Sequence, residues 1–209
     1  MTVQAACTRL HELIWSLGNY PFPARKELLP ENGVYFLFEK GELGHGGRRI
    51  VRIGSHTGSG NLGSRLAEHT TKNKDRSIFR KNIGRALLRK ANDPFLKQWE
   101  WDLTSREKRT KYGPLLDVAR QAVAETEVSN YIQDSFTFAV LTLDESRTAL
   151  DLEKRAIATV AQCTVCQPST SWLGNFSPKD SIRQSGLWQI QHLKGVLFSA
   201  EELVRTPAQ

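Results

Sequence analysis

Gly33-Val34-Tyr35-Phe36-Leu37-Phe38-Glu39, Arg49-Ile50-Val51-Arg52-Ile53-Gly54-Ser55 and Leu62-Gly63-Ser64-Arg65-Leu66-Ala67-Glu68-His69 are the three runs whose reading decides the fold. Val34 to Glu39 is rich in β-branched and aromatic residues and follows the turn signal Pro30-Glu31-Asn32-Gly33, so it predicts a strand. Arg49 to Ser55 predicts a second. Only the stretch from Lys40 to Gly47, with its four glycines, joins them, and so short a link makes the two strands antiparallel neighbours. Leu62 to His69 predicts a short helix after a Gly/Ser loop.

Outward from these runs the pattern is mixed. Residues 4–17 predict an amphipathic helix through Leu10, Leu13, Ile14 and Leu17, stopped by Pro21 and Pro23. Ser77 to Lys90 predicts a helix with Ile78, Phe79, Ile83, Ala86 and Leu87 inward and Arg80, Lys81, Arg85 and Arg89 outward. A helix from Pro114 to about Tyr131, a third strand at 136–143 and a strong helix over 146–162 follow, then a loop to Pro178, a strand at 187–192 and a short helix near 199–205. The expected fold is therefore α+β: one domain with a small central three-stranded antiparallel sheet flanked by helices. Its core covers about 31–91 and 134–178. The 4–17 helix precedes it, a helical insertion (about 92–133) interrupts it and a C-terminal extension (179–209) follows it.

Composition limits the function. At 39% hydrophobic and 24% charged, the 209 residues can bury a core and are not a disordered tail. No apolar run approaches the roughly 18–20 residues of a membrane helix, so no membrane partner is expected. Three cysteines argue against a disulfide framework, and the N-terminus lacks a signal-peptide layout, so a cytoplasmic, intracellular location is expected. The net charge of +7 is uneven: Arg48 to Lys111 holds 17 Lys/Arg against 6 Asp/Glu. Such a block suits a polyanion, most simply a nucleic acid, or else is a solvated face. Lys72, Lys74 and Arg76 lie in a polar stretch expected to be exposed, and with Arg80, Lys81, Arg85 and His56 they are the candidate nucleic-acid contacts.

Tyr35 alternates with Val34 and Phe36 and so faces the opposite side of the sheet from them. Arg65 and His69, four apart, share a helix face with Leu62 and Leu66 close by. Glu153 sits among Ala149, Leu150, Ala156 and Ile157, which puts a carboxylate in an apolar helix stripe. It is either a structural ion pair or a ligand for a hard cation such as Mg²⁺. Together these groups supply what phosphodiester cleavage needs: a carboxylate for a metal, an arginine for transition-state charge, and a tyrosine or histidine to move a proton.

The set resembles the GIY-YIG nuclease superfamily. Gly33-Val34-Tyr35 is similar to its first signature element, and Arg52-Ile53-Gly54 stands where the second belongs. Leu62 to His69 resembles its arginine helix, Leu152-Glu153-Lys154-Arg155-Ala156-Ile157 its glutamate helix, and Gly174-Asn175 its late asparagine element. The resemblance implies a divalent-metal-dependent endonuclease acting on DNA, with RNA as a second possible substrate; site-specific cutting of a restriction or defence type is compatible with it. Tyr35 would be the general base or position the water, Arg65 would hold the phosphate, and Glu153 would bind Mg²⁺ or Mn²⁺. His69 would assist proton transfer or bind phosphate, and Asn175 would anchor the site. The insertion and the tail would select the target or form a homodimer.

Arg52 departs from the pattern, which has a tyrosine there. Arginine cannot act as a base near neutral pH, so it would bind phosphate, act on Tyr35 through its charge, or mark a catalytically inactive nucleic-acid-binding module. A third reading has the basic block meet an acidic protein. The 40–48 link reads as a mobile loop that touches DNA. Trp99 and Trp101 alternate as on a strand and either stack on bases or, the preferred reading, pack to close the core over the insertion. Cys163-Thr164-Val165-Cys166 has the spacing of redox and zinc sites, but with no second such pair and Cys7 remote in sequence it reads as two ordinary thiols.

Overall fold

The computed structural model describes residues 2–56, 58–143 and 149–198. In chain order the elements are α1 (Val3–Trp15), β1 (Asn19–Pro21), β2 (Gly33–Gly44), β3 (Gly47–Gly54), α2 (Leu62–Ala67), α3 (Ile78–Lys90), α4 (Leu96–Trp99), α5 (Arg106–Tyr112), α6 (Val118–Ser135), β4 (Phe136–Thr142), α7 (Ala149–Ala161) and α8 (Asp180–Ser185). The sheet order is β1-β4-β2-β3, antiparallel throughout. The three expected strands are present, but the sheet has four. Asn19–Pro21 pairs with Thr137–Ala139, and three residues ending in proline carry no strand periodicity to read. Proline is tolerated there because β1 is an edge strand.

The link between the first two strands is not a loop. Residues 40–44 continue β2, and Gly47 and Arg48 open β3. Only His45 and Gly46 turn the chain, at φ of 54° and 83°, and positive φ at both central residues marks a type I′ hairpin turn. The register slips between Phe38↔Ile50 and Leu43↔Arg48, which leaves extra residues on β2. Glu39 lies on the face of Tyr35 and Leu37 by alternation, and both it and Glu42, beyond the slip, are buried. Glu39 accepts from Tyr131 Oη (2.5 Å), Trp172 Nε1 (2.8 Å) and Trp188 Nε1 (2.8 Å), and burial pushes its pKa up.

Strand alternation sorts the core into two layers. Tyr35, Leu37, Phe136 and Phe138 pack against Leu62 and Leu66 of α2, Phe79 and Ile83 of α3 and Val128 of α6. Val34, Phe36, Phe38 and Leu141 face the other way, onto Leu10 and Ile14 of α1 and Leu152, Ile157 and Val160 of α7. The insertion forms α4 to α6 and covers the outer side of α3. Trp99 fills the notch at Gly84, where a Cβ would lie 2.3 Å from the indole, and Trp101 stacks on Tyr112.

The C-terminal segment does not form the strand expected at 187–192. It caps the β3 edge instead: Trp188 N–H donates to Val51 O (2.8 Å), and the Gln189 amide brackets the Ile53 backbone at 3.2 and 2.8 Å. That satisfies an exposed sheet edge with little regular structure. The helix expected near 199–205 and the first residues of the 146–162 helix lie outside the described residues. Among the described residues no helix is long and apolar enough to cross a membrane.

Candidate active site

A cleft of about 550 Å³ opens at the end of β3, lined by Ser55, His56, Asn61, Ser64, Arg65, Glu68, Leu150 and Glu153. It straddles the sheet end: Arg65 comes from α2 on one face and Glu153 from α7 on the other. Ser55, the first residue past β3, donates its hydroxyl to Glu153 Oε2 in a short hydrogen bond. Arg65 Nη1 donates to Glu68 Oε2 (2.6 Å) and, more weakly, to Arg76 O (3.4 Å). Burial lowers the Arg65 pKa, but the Tyr35 oxygen and the Glu68 carboxylate outweigh it, so the net shift is upward and the charge is secure.

Behind Arg65 lies a dry layer. Tyr35 and His69 are fully buried, and Tyr35 Oη lies 2.9 Å from His69 Nε2. His69 Nδ1 meets Ser77 Oγ (2.8 Å), the N-cap oxygen of α3. Burial, followed by the charges of Arg52, Arg65 and Arg80, drives the His69 pKa well down, so the ring is neutral. The tyrosine can occupy this place because Gly54, its cross-strand partner, has no side chain. A Cβ there would lie 2.3 Å from the Tyr35 ring and hydroxyl.

Arg52 shares the face of Tyr35 but is 5% exposed, donates Nη1 to Trp188 O (2.6 Å) and lies over the Phe79 ring at 5.2 Å. Burial, joined by the like charge of Arg65, lowers its pKa. This guanidinium is held on the Trp188 carbonyl and does not line the cleft. Asn175 does not line the cleft: its amide donates to Ser169 O (3.0 Å) and Thr170 O (3.1 Å), so it anchors a C-terminal loop.

Most of the expected nucleic-acid contacts are internal. Arg80 is fully buried on Glu125 (2.5 Å), Arg85 forks onto Glu100 (2.6 Å twice), and Lys74, 1% exposed, donates Nζ to Trp101 O (2.5 Å). Lys81 is half-buried on Asp75 (3.3 Å). The reason is the insertion, whose acidic and carbonyl groups cover the face of α3 that periodicity left open to solvent. Lys72 and Arg76 are exposed. His56 lines the cleft with Nε2 accepting from Gly33 N–H (3.3 Å) and Nδ1 at Gly58 O (2.8 Å), so both ring nitrogens are held by backbone.

Five polar side chains of the site escaped the sequence reading: Ser55, Asn61, Ser64, Glu68 and Ser77. Ser55 directly follows the Arg52-Ile53-Gly54 element, and Glu68 lies one helical turn from Arg65, so adjacency could have flagged both. Asn61 and Ser77 gave no signal beyond their capping positions.

The model of the family described as GIY-YIG domain matches residues 11–201, a span that takes in β2, β3, the arginine helix and α7. No curated protein and no solved structure matches the chain. Proteins of that family are generally endonucleases. Since the match runs through nearly the whole length and takes in every element that builds the cleft, the chain belongs to the GIY-YIG domain family.

Proposed function

We propose that the protein is a divalent-metal-dependent endonuclease hydrolysing phosphodiester bonds in DNA, with the scissile phosphate bound in the cleft beside Arg65. One observation carries the reading: a guanidinium and a carboxylate from opposite faces of the sheet line the same open cleft. The Glu153 carboxylate and Ser55 hydroxyl are hard oxygen donors beside solvent, which suits Mg²⁺ or Mn²⁺, ions that take one or two carboxylates and keep several waters. Glu153 would hold the ion, and Ser55 fixes the carboxylate orientation. Bound there, the ion supplies Lewis-acid stabilisation of phosphate charge.

The chain's own residues do the rest. Arg65 leaves Glu68 for the phosphate and stabilises the charge that grows in the transition state. That departure opens the Tyr35 oxygen to the cleft, where it orients the attacking water and takes its proton as the phenol proton passes to His69 Nε2. His69, neutral and protonated on the Ser77 side, accepts the hydrogen bond of the Tyr35 hydroxyl at Nε2 and turns the phenol lone pairs away from itself. Lys72 and Arg76 hold the backbone on either side, a contact without sequence information. Site specificity and a homodimer belong to the same proposal, since a single cleft of this kind cuts one strand at a time.

The test is cleavage of supercoiled plasmid and of a single-stranded RNA with Mg²⁺ or Mn²⁺, against a metal-omitted control and the Glu153→Ala variant. DNA cutting that needs the ion and vanishes in the variant is the expected result; discrete fragments add site specificity. No cutting, with salt-sensitive binding retained, overturns the reading in favour of an inactive binding module, for which the enclosed Arg52 is the structural argument. No DNA binding at all would leave an acidic protein as partner of the basic surface.

A further inference from the structure

The three cysteines, scattered at positions 7, 163 and 166, converge. Cys7 Sγ lies 3.5 Å from Cys166 Sγ, and Cys163 Sγ lies 3.4 Å from His45 Nε2. The four donor atoms of Cys7, His45, Cys163 and Cys166 all fall within 4.8 Å of one another. We propose that these four residues bind a structural zinc ion.

The spacing fits a tetrahedron around one ion. With Zn–S of about 2.3 Å and Zn–N of about 2.0–2.1 Å, tetrahedral angles place sulfur about 3.8 Å from sulfur and about 3.6 Å from nitrogen. A disulfide needs sulfurs about 2.05 Å apart, and all three cysteines are free. The donors are three soft sulfurs and one imidazole, the set that selects zinc over Mg²⁺.

The surrounding hydrogen bonds prepare the imidazole. Thr8 Oγ1 gives its own proton to Gln4 O (2.9 Å), so toward His45 Nδ1 (2.9 Å) it can only accept. Nδ1 therefore carries the proton, and Nε2, facing the sulfurs, has its lone pair free. This is how the outer partner of a metal-bound histidine fixes its tautomer. The neighbouring His11 is already committed: Nε2 accepts from Ile50 N–H (3.2 Å) and Nδ1 donates to Cys7 O (2.9 Å). It lies beside the cluster and is not its fourth ligand.

The three sulfurs are buried, at 0–2% exposure, as in a closed structural site without an open position for substrate. The ion ties α1, the β2–β3 turn and the loop after α7 to each other. These segments meet at the turn end of the hairpin, away from the cleft at Gly54, so the inference stands whether or not the cleft cuts DNA.

The experiment uses the full chain, expressed without a histidine tag and purified without chelator. Elemental analysis is expected to find about one zinc per chain, as a four-ligand site requires. Cobalt added to chelator-stripped protein gives the strong visible bands of a tetrahedral thiolate site, and these disappear when zinc is added. His45→Ala lowers zinc affinity at least about tenfold, whereas His45→Cys keeps the metal by completing a four-cysteine set. Protein that holds less than a tenth of an equivalent of zinc, even after incubation with it, and shows no tetrahedral cobalt spectrum overturns the proposal. So does a Cys7–Cys166 disulfide in the intact mass. The cobalt reading needs no variant, so misfolding of a mutant cannot mask the answer.

Discussion

The two ends of the β2–β3 hairpin share a sheet and differ in chemistry. The Gly54 end is open and wet, and its donors are oxygens and guanidinium nitrogens: Ser55, Glu153, Glu68 and Arg65 around a cleft. The His45 end is closed and dry, and its donors are sulfurs and imidazoles. Beside the sulfurs, Glu42 accepts from buried Arg49 (2.6 and 3.2 Å) and from Ser169 N–H (3.1 Å), while Arg49 reaches Gly186 O (2.5 Å). Gly44 marks the contact between the two networks, since a Cβ on it would lie 3.3 Å from Arg49 and 3.5 Å from Cys166. The difference teaches how one hairpin divides its labour. Polar groups in solvent exchange partners at little cost and suit a site that must take and release a phosphate. Polar groups out of water are costly to leave unpaired and hold chain segments together.

The comparison is sharpest under mutation. Glu42→Ala strands the Arg49 charge in the closed end and is expected to cost about 3–5 kcal/mol of stability by urea denaturation. A loss under 1 kcal/mol would break the contrast. Arg65→Ala at the open end is expected to lower cleavage by about 10²–10³-fold with an unchanged urea midpoint. A coincident loss of stability would make Arg65 structural. The dry layer behind the cleft is read by pH. The His69 pKa is depressed in the folded chain, so below the unfolded value of about 6.5 only the unfolded chain takes up the proton. Stability then falls as pH falls, by up to about 1.4 kcal/mol per unit from this group. Glu39, pushed up by burial, acts with the opposite sign, so the measurement is the difference between wild type and His69→Gln in urea midpoints at pH 5 and 7.5. The variant is expected to lose less on acidification, and identical pH dependence would mean His69 is not held neutral. The smallest effect belongs to exposed Lys72. Lys72→Ala is expected to weaken DNA binding a few-fold and to reduce the salt slope by about one. An unchanged slope would leave Arg76 and the cleft to carry the backbone contact.

The sequence by itself determined the strand pair and its order relative to the arginine and glutamate helices, and with them Tyr35, Arg65, His69 and Glu153. Strand alternation and helix periodicity are local properties, and a motif in fixed order survives without contacts being known. It also foresaw the packing role of Trp99. The fate of the charges was decided only by tertiary structure. Arg80 and Arg85 read as a free face because nothing in α3 announces that α4 and α6 will cover it. Arg52 read as a phosphate contact, a charge acting on Tyr35 or a mark of an inactive module, and its burial could not be foreseen because it depends on Trp188, 136 residues away. Asn175 read as a site residue and proved to hold a loop. The sulfur cluster was the least legible of all: a pair at 163 and 166 gains its meaning from Cys7 and His45, which only packing of α1 and of a two-residue turn brings within reach. Periodicity tells which side of an element faces the core. Which partner arrives on that side is set by long-range packing, and for buried charge and soft ligands the partner is the function.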